Sequence, residues 1–352
     1  MGGIDISPRE VRAAAQQLRD MIARTPRTGP LPDRSSACLP IEGKCSLRYY
    51  PASGESKRRP LLVVYALVSR PSVLDLQPGG SLIEHMQNLG HPVYLVDWGS
   101  PDVVDASVSL ADYVCGYLRT AVRLIRRRHA VRTIDLLGIC QGGGLALCLA
   151  SLDPRRFSRL VTMVTAVDFH TPGDTLAKLA RGLDLPALLA PDGNVRGRLV
   201  AGLFERLRCL RAAADSTLVH TLLNGSVAER DRLLRMCAWR DDYPDQAGLA
   251  WQEWVTSCYL ENRLVSGTLA LNGQQVDLRR LTMPVLNIYA RDDHLVPPAA
   301  ARALGDLVAP ERYAEMELPC GHLGVFAGRR TLSTLPAALS KFLRGRRRGR
   351  RS

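Results

Sequence analysis

Apolar residues along the chain fall into two alternating spacings. Continuous runs occur at "PLLVVYALV" (60–68), "PVYLVDW" (92–98), "TIDLLGI" (133–139) and "RLVTMVTAV" (159–167). Their length and β-branched content predict buried strands. Between them lie helical patterns: "SLIEHMQNLG" (81–90), stopped by Gly90, an amphipathic stretch over 109–130, and "QGGGLALCLASL" (141–152). Strand runs without polar alternation, separated by helices, predict a parallel sheet buried on both faces. From 171 to 281 helical patterns dominate. Strand runs then return at "PVLNIYA" (284–290) and "RYAEMELP" (312–319), and a helix follows over 331–343. Near the start, "SPRE" (7–10) has the form of a capping box, with a helix to about Ile22. Residues 25–40, rich in Pro, Ser and Gly, read as a surface loop. The expected layout is a first unit over 1–45, a sheet core over 46–170 and 282–343, a mainly helical insertion over 171–281, and a tail over 344–352.

Composition changes this picture at two points. The formal net charge is +13, but the last twelve residues, "KFLRGRRRGRRS", hold seven cations and no acid, leaving the body only mildly basic. Such a tail is expected to stay disordered because like charges repel, with at most loose attraction to polyanions. It is a poor basis for a specific nucleic-acid binder. The nine Cys are scattered, with no CxxC pair or zinc spacing, which fits a reduced cytoplasmic setting without a metal site. No apolar run has the length of a membrane span, and the first residues lack a signal-peptide pattern.

The chemistry gathers at Gly138-Ile139-Cys140-Gln141-Gly142, between a predicted strand and a predicted helix. This is the G-x-nucleophile-x-G elbow of α/β-hydrolases, with Cys in the Ser position. Glycine two residues either side lets strand and helix approach closely. The backbone N–H of Gln141, at a helix start, faces negative charge forming beside the sulfur. A lone GxCxG is weak evidence, since a Cys in such a turn is more often a small buried hydrophobe. Its partners strengthen it. An acid lies in "YARDDHLVPP" (289–298) and a His in "LPCGHLGVF" (318–326), each just after a late strand. The order Cys140, Asp293, His322 is the nucleophile–acid–base order of that fold. Asp292 competes with Asp293, but neighbours in a loop point different ways and one alone reaches His322; we assign Asp293. Asp97, Asp168 and His170 follow strands too and read equally as turn residues or site rim. His220 reads as an ordinary helix residue.

Several stretches together resemble the catalytic subunit of class III polyhydroxyalkanoate synthases: "VVYALV" with "RP" and "LDLQP" (63–78), "YLVDWGSPD" (94–102), "LLGICQGG" (136–143), "LVTMVTAVDF" (160–169), "YPDQAG" (243–248), "PVLNIYARDDHLVPP" (284–298) and "CGHLGVF" (320–326). The resemblance implies an α/β-hydrolase fold with a helical cap. It implies Cys140 as carrier of the acyl chain, His322 as base and Asp293 as its partner. Oxyanion donors are implied at the backbone of Gln141 and near Val68. The implied substrate is an (R)-3-hydroxyacyl-coenzyme A, 3-hydroxybutyryl-CoA above all; the products are polyester and free CoA, with no further cofactor. A second, non-catalytic subunit, homo-oligomerisation and a place at the polyester granule surface in the cytoplasm are implied as well. Ser69 stands where the family usually shows Asn. Two rival readings remain at this level: a Cys-dependent esterase, lactonase or thioesterase of the same fold, and a non-catalytic granule-binding paralogue.

Overall fold

The computed structural model describes residues 34–55, 58–209 and 225–345. The expected N-terminal helix, His220 and the Arg-rich tail beyond Gly345 lie outside the described residues. Eight strands form one sheet: β1 (Ala37–Glu42), β2 (Cys45–Tyr50), β3 (Leu61–Val64), β4 (Val93–Asp97), β5 (Ile134–Ile139), β6 (Phe157–Met163), β7 (Val285–Ala290) and β8 (Tyr313–Leu318). Their order is β1-β2-β4-β3-β5-β6-β7-β8. The β1–β2 and β2–β4 pairs are antiparallel and every later pair is parallel.

The strands differ as their sequences require. β3, β5 and β7 are buried at every position, as the continuous apolar runs demand. β1 alternates along its length and carries Pro40 at the sheet edge, where a missing N–H costs no ladder bond. Leu61 and Val63 pack on one face of the sheet, Leu62 and Val64 on the other, giving two cores.

Three strand expectations change. β1 and β2 form a hairpin, and β1 begins inside the stretch read as a surface loop. Its turn signal was Gly43, whose φ of +55° suits a tight reversal. β3 ends at Val64 and β6 at Met163, earlier than the apolar runs. Tyr65–Leu67 and Val164 stay apolar because they are buried above the sheet, not because they pair. The helical pattern over 109–130 divides into a π-helical turn, Asp112–Leu118, and the α-helix Arg119–Arg128.

The helix after β5, α1 (Gln141–Leu152), is buried from Gly142 through Ser151. It is apolar on all sides because it lies between the sheet and the inserted segment. Glycines set its depth. A Cβ on Gly143 would sit 1.8 Å from Thr165 Oγ1, and one on Gly144 would sit 2.5 Å from the Trp254 ring. Thr165 is buried, with its hydroxyl donating to the Met163 carbonyl, and has no room to withdraw. Gly143→Ala is therefore expected to destabilise the protein by about 1–3 kcal/mol through overpacking. The denaturant midpoint, at unchanged m-value, measures this.

Candidate active site

The sheet register brings the site together. Gly138 pairs with Val64, Ile139 with Met163, Met163 with Ile288, and Ala290 with Leu318. The parallel strands therefore end at nearly one level. Cys140 follows β5 at once, Asp293 follows β7 by three residues, and His322 follows β8 by four. Two backbone bonds continue the ladder past the strand ends: Arg291 N–H to the Leu318 carbonyl, 2.9 Å, and Asp292 N–H to the Cys320 carbonyl, 3.0 Å. They fix the acid loop against the histidine loop.

Cys140 adopts φ 55° and ψ −129°, a conformation that L side chains rarely take. Its N–H donates to the Met163 carbonyl, 2.9 Å, and its carbonyl accepts from Gly143 N–H, 2.9 Å. A Cβ on Gly138 would lie 2.5 Å from Gly143 Cα, and one on Gly142 would lie 2.4 Å from the Val64 carbonyl oxygen. Both positions thus require glycine, as the elbow motif predicts.

The Cys140 side chain lies near enough to His322 to influence the ring's charge. His322 Nδ1 lies 2.7 Å from Asp293 Oδ2, and both side chains are almost wholly buried. Asp293 Oδ1 accepts from the backbone N–H groups of Leu295 and Val296, each 2.9 Å away. The carboxylate is therefore aimed from both oxygens. Asp292 points outward, its side chain 63% exposed, beside Arg291. The structure thus separates the two acids and brings Asp293 alone to His322.

The remaining candidates serve other contacts. Asp97 holds Arg48, with Nε 2.8 Å away, and caps Gly99 N–H. Asp168 Oδ1 accepts from Asn262 Nδ2 and from His170 N–H, both 2.8 Å. His170 Nε2 lies 3.1 Å from the Tyr259 carbonyl. Asp168 and His170 brace the loop after β6 against the inserted segment. Among the described residues, no cluster of three or more His, Cys, Asp or Glu side chains is arranged to hold a metal ion.

Cys140 opens into a cavity of about 120 Å³. Its walls combine Val68 and Gln141 from the sheet core with Leu179, Val200, Trp254 and Tyr259 from the insertion.

This geometry has known counterparts. The chain matches the α/β hydrolase fold family over residues 59–328. It is 38% identical over 292 residues to the poly(3-hydroxyalkanoate) polymerase subunit PhaC of Allochromatium vinosum, covering 83% of this chain and 82% of that one. A second PhaC subunit, from Synechocystis, is 38% identical over 304 residues, covering 84% and 80%. The chain belongs to the PhaC family. Among solved structures, a carboxylesterase of Nitrososphaera gargenis aligns over 88% of this chain and 99% of its own at TM-score 0.55 and 12% identity. A thermophilic esterase from Thermogutta terrifontis aligns over 88% and 97% at TM-score 0.54 and 15% identity. At such identities these two likenesses speak for the fold alone.

In this PhaC-family chain the imidazole is electrostatically loaded. Burial opposes charge on His322, but the Asp293 carboxylate and the Cys140 sulfur outweigh it and raise the ring to about 10. The charged form of the ring is thus the favoured one beside the Asp293 carboxylate. Other thiols are poor rivals: burial pushes Cys45 and Cys148 up to about 12.

The loop after β3, where the sequence reading expected an oxyanion donor, is held by contacts that reading missed. The Gln141 carboxamide accepts from Leu67 N–H, 2.9 Å, so that donor is occupied. The buried Gln246 carboxamide donates to the Leu67 carbonyl, 3.3 Å, and to the Pro244 carbonyl, 2.8 Å. In a trans peptide the N–H points opposite the carbonyl, so a held Leu67 C=O directs the Val68 N–H the other way. Val68 and Gln141 line the same cavity as Cys140. Gln246 lies inside the quoted "YPDQAG" stretch, but no local pattern links it to residue 67, which is 179 positions away.

Two outcomes are expected. A ring raised in the folded state contributes stability that is complete below its ordinary value of 6.5 and is lost as pH climbs through about 10. The melting-temperature gap between wild type and His322→Gln should therefore be widest near pH 6 and narrow steadily toward pH 10. Gln246→Ala should lower kcat for acylation of Cys140 roughly tenfold with little change in KM, measured in single-turnover thioester assays.

Proposed function

We propose that this chain is the catalytic subunit of a poly(3-hydroxyalkanoate) polymerase, joining 3-hydroxyacyl groups from coenzyme A thioesters, 3-hydroxybutyryl-CoA foremost, through an acyl thioester on Cys140. The observation that carries the reading is a cysteine at the elbow of a PhaC-family chain, beside a histidine that a buried carboxylate orients.

The steps follow from these groups. His322 takes the thiol proton, and the sulfur attacks the thioester carbonyl of the substrate. The backbone N–H groups of Gln141 and Val68 stabilise the oxygen as it gains charge. The carbon–sulfur bond to CoA breaks, and the imidazolium returns its proton to the departing thiolate. The 3-hydroxyl of a second acyl-CoA next attacks the Cys140 thioester, with His322 accepting the hydroxyl proton. An oxygen ester forms, the bond to Cys140 breaks, and the sulfur regains the proton. The acyl chain, now one unit longer and carried on CoA, returns to Cys140 by thioester exchange. Asp293 keeps the ring oriented and stabilises its charged form throughout.

A thiol suits this cycle. Exchange of one thioester for another is nearly thermoneutral, so the driving force is kept for oxygen-ester formation. A serine would fall to the oxygen ester at the first step. The apolar cavity favours an acyl chain over water beside the thioester.

Class III membership, with its second non-catalytic subunit, is part of the proposal, as are homo-oligomerisation and residence at the granule surface, where an insoluble product accumulates. No described helix is long and apolar enough to cross a membrane.

Purified protein, with and without a class III partner subunit, is to be given 3-hydroxybutyryl-CoA while CoA release and turbidity are followed. CoA release with polymer supports the proposal, and Cys140→Ala should abolish both. Asp293→Asn should leave a folded protein with kcat lower by about a hundredfold or more. Release of free 3-hydroxybutyrate without polymer would establish the hydrolase reading instead. Polymer formed by Cys140→Ala would sink the assignment of the nucleophile.

A further inference from the structure

The inserted segment departs from regular helix at the cavity. Helix Gly248–Trp254 runs straight into a π-helical turn, Val255–Leu260. Single π turns inside helices are uncommon and recur at functional sites. Here the wider turn places residues five apart on one face, so that the Trp254 side chain meets Tyr259. Trp254 and Tyr259 stand together in the cavity wall. Phe169 packs edge-on against both rings, with centroids 4.9 Å from Tyr259 and 6.2 Å from Trp254. The Tyr259 backbone is held as well, through His170. The ring and the backbone of Tyr259 are therefore held from separate sides.

Tyr259 supplies the one hydroxyl among the described side chains that line the cavity beside Cys140. Its O–H has a proton to give. Among the described residues no acceptor takes that proton. A phenol enclosed by apolar walls forfeits solvation unless something polar meets it. The side chain also lies close enough to Cys140 to feel its charge. The 3-hydroxyl of an acyl group on Cys140 sits three bonds beyond the thioester carbon, inside the same small cavity.

We propose that Tyr259, set by the π turn and by packing on Phe169, is the substrate-binding residue that recognises the 3-hydroxyl of the acyl group delivered to Cys140, its O–H donating to that oxygen. The inference rests on the polymerase reading and deepens it. Tyr259 selects 3-hydroxyacyl over plain acyl thioesters, so that Cys140 is loaded with units able to continue a polyester. A plain acyl unit carries no hydroxyl and would end the chain.

The test deletes the hydroxyl on each side in turn. Wild type and Tyr259→Phe, each together with a class III partner subunit, are acylated in single turnover by 3-hydroxybutyryl-CoA and by butyryl-CoA, with CoA release measured by chromatography. Wild type should prefer the hydroxylated substrate by roughly tenfold, the scale of one neutral hydrogen bond. Tyr259→Phe should erase that preference and leave the butyryl-CoA rate within about twofold, which also shows that the variant is folded. Retention of the preference, or an equal loss with both substrates, would overturn the proposal. Absence of CoA release from either substrate with wild type would instead overturn the polymerase reading, and this one with it.

Discussion

The backbone of Cys140, held at a positive φ by its neighbours, is the constraint on which the site depends. A non-glycine residue in that region costs on the order of 1–3 kcal/mol and persists only where its surroundings over-determine it. They do so here. The Cys140 N–H is bound to the end of β6, and its carbonyl is bound within the first turn of α1. Glycines at 138 and 142 allow contacts that no Cβ survives. The strain projects the sulfur out of the sheet edge and puts the Gln141 N–H beside it.

The other groups reach the sulfur because a parallel sheet delivers its C-terminal loops to a single edge. No side chain needs to travel far. Asp293 and His322 leave adjacent strands whose ladder continues into their loops, so their separation is set by backbone pairing before any side-chain bond forms. The 2.7 Å contact between them then fixes the ring, and burial keeps water from weakening it. Gln246 extends the same logic to the inserted segment. It ties that segment to the peptide carrying the Val68 N–H, so the cavity wall and the anion site share one anchor.

Much of this was legible in the sequence because the informative features are local. A fully buried strand, a glycine-flanked elbow and a Gly-His after a strand each declare themselves within ten residues. The α1 boundaries and the order Cys140, Asp293, His322 come directly from such patterns. The sequence reading chose Asp293 over Asp292, and the loop's path supplies the physical reason, since it brings the Asp293 carboxylate to the Leu295 and Val296 amides. The β1–β2 hairpin escaped because an edge strand alternates and tolerates proline, which looks like loop. The ends of β3 and β6 were overextended because loops above an active site can be as apolar as strands. The clamp on Leu67 and the approach of Trp254 to Gly144 join residues more than a hundred positions apart, and no periodicity encodes them.

An esterase and a polymerase can share every atom of the catalytic trio, and PhaC-family and esterase folds are alike here. What divides them is which hydroxyl reaches the acyl-enzyme. A water beside Cys140 needs two to four polar partners to be held there. Leu179, Val200 and Val68 offer apolar wall, and few polar side chains, Gln141 and Tyr259 among them, face the cavity. An acyl chain meets the same walls with no such requirement and gains by leaving water. A hydroxyl that arrives on an apolar carbon chain thus enters where free water is poorly held. The cysteine adds the thermodynamic half, since its thioester retains the drive to form an ester. Apolar enclosure and sulfur chemistry act at different steps and favour the same outcome, growth of a chain over its hydrolysis.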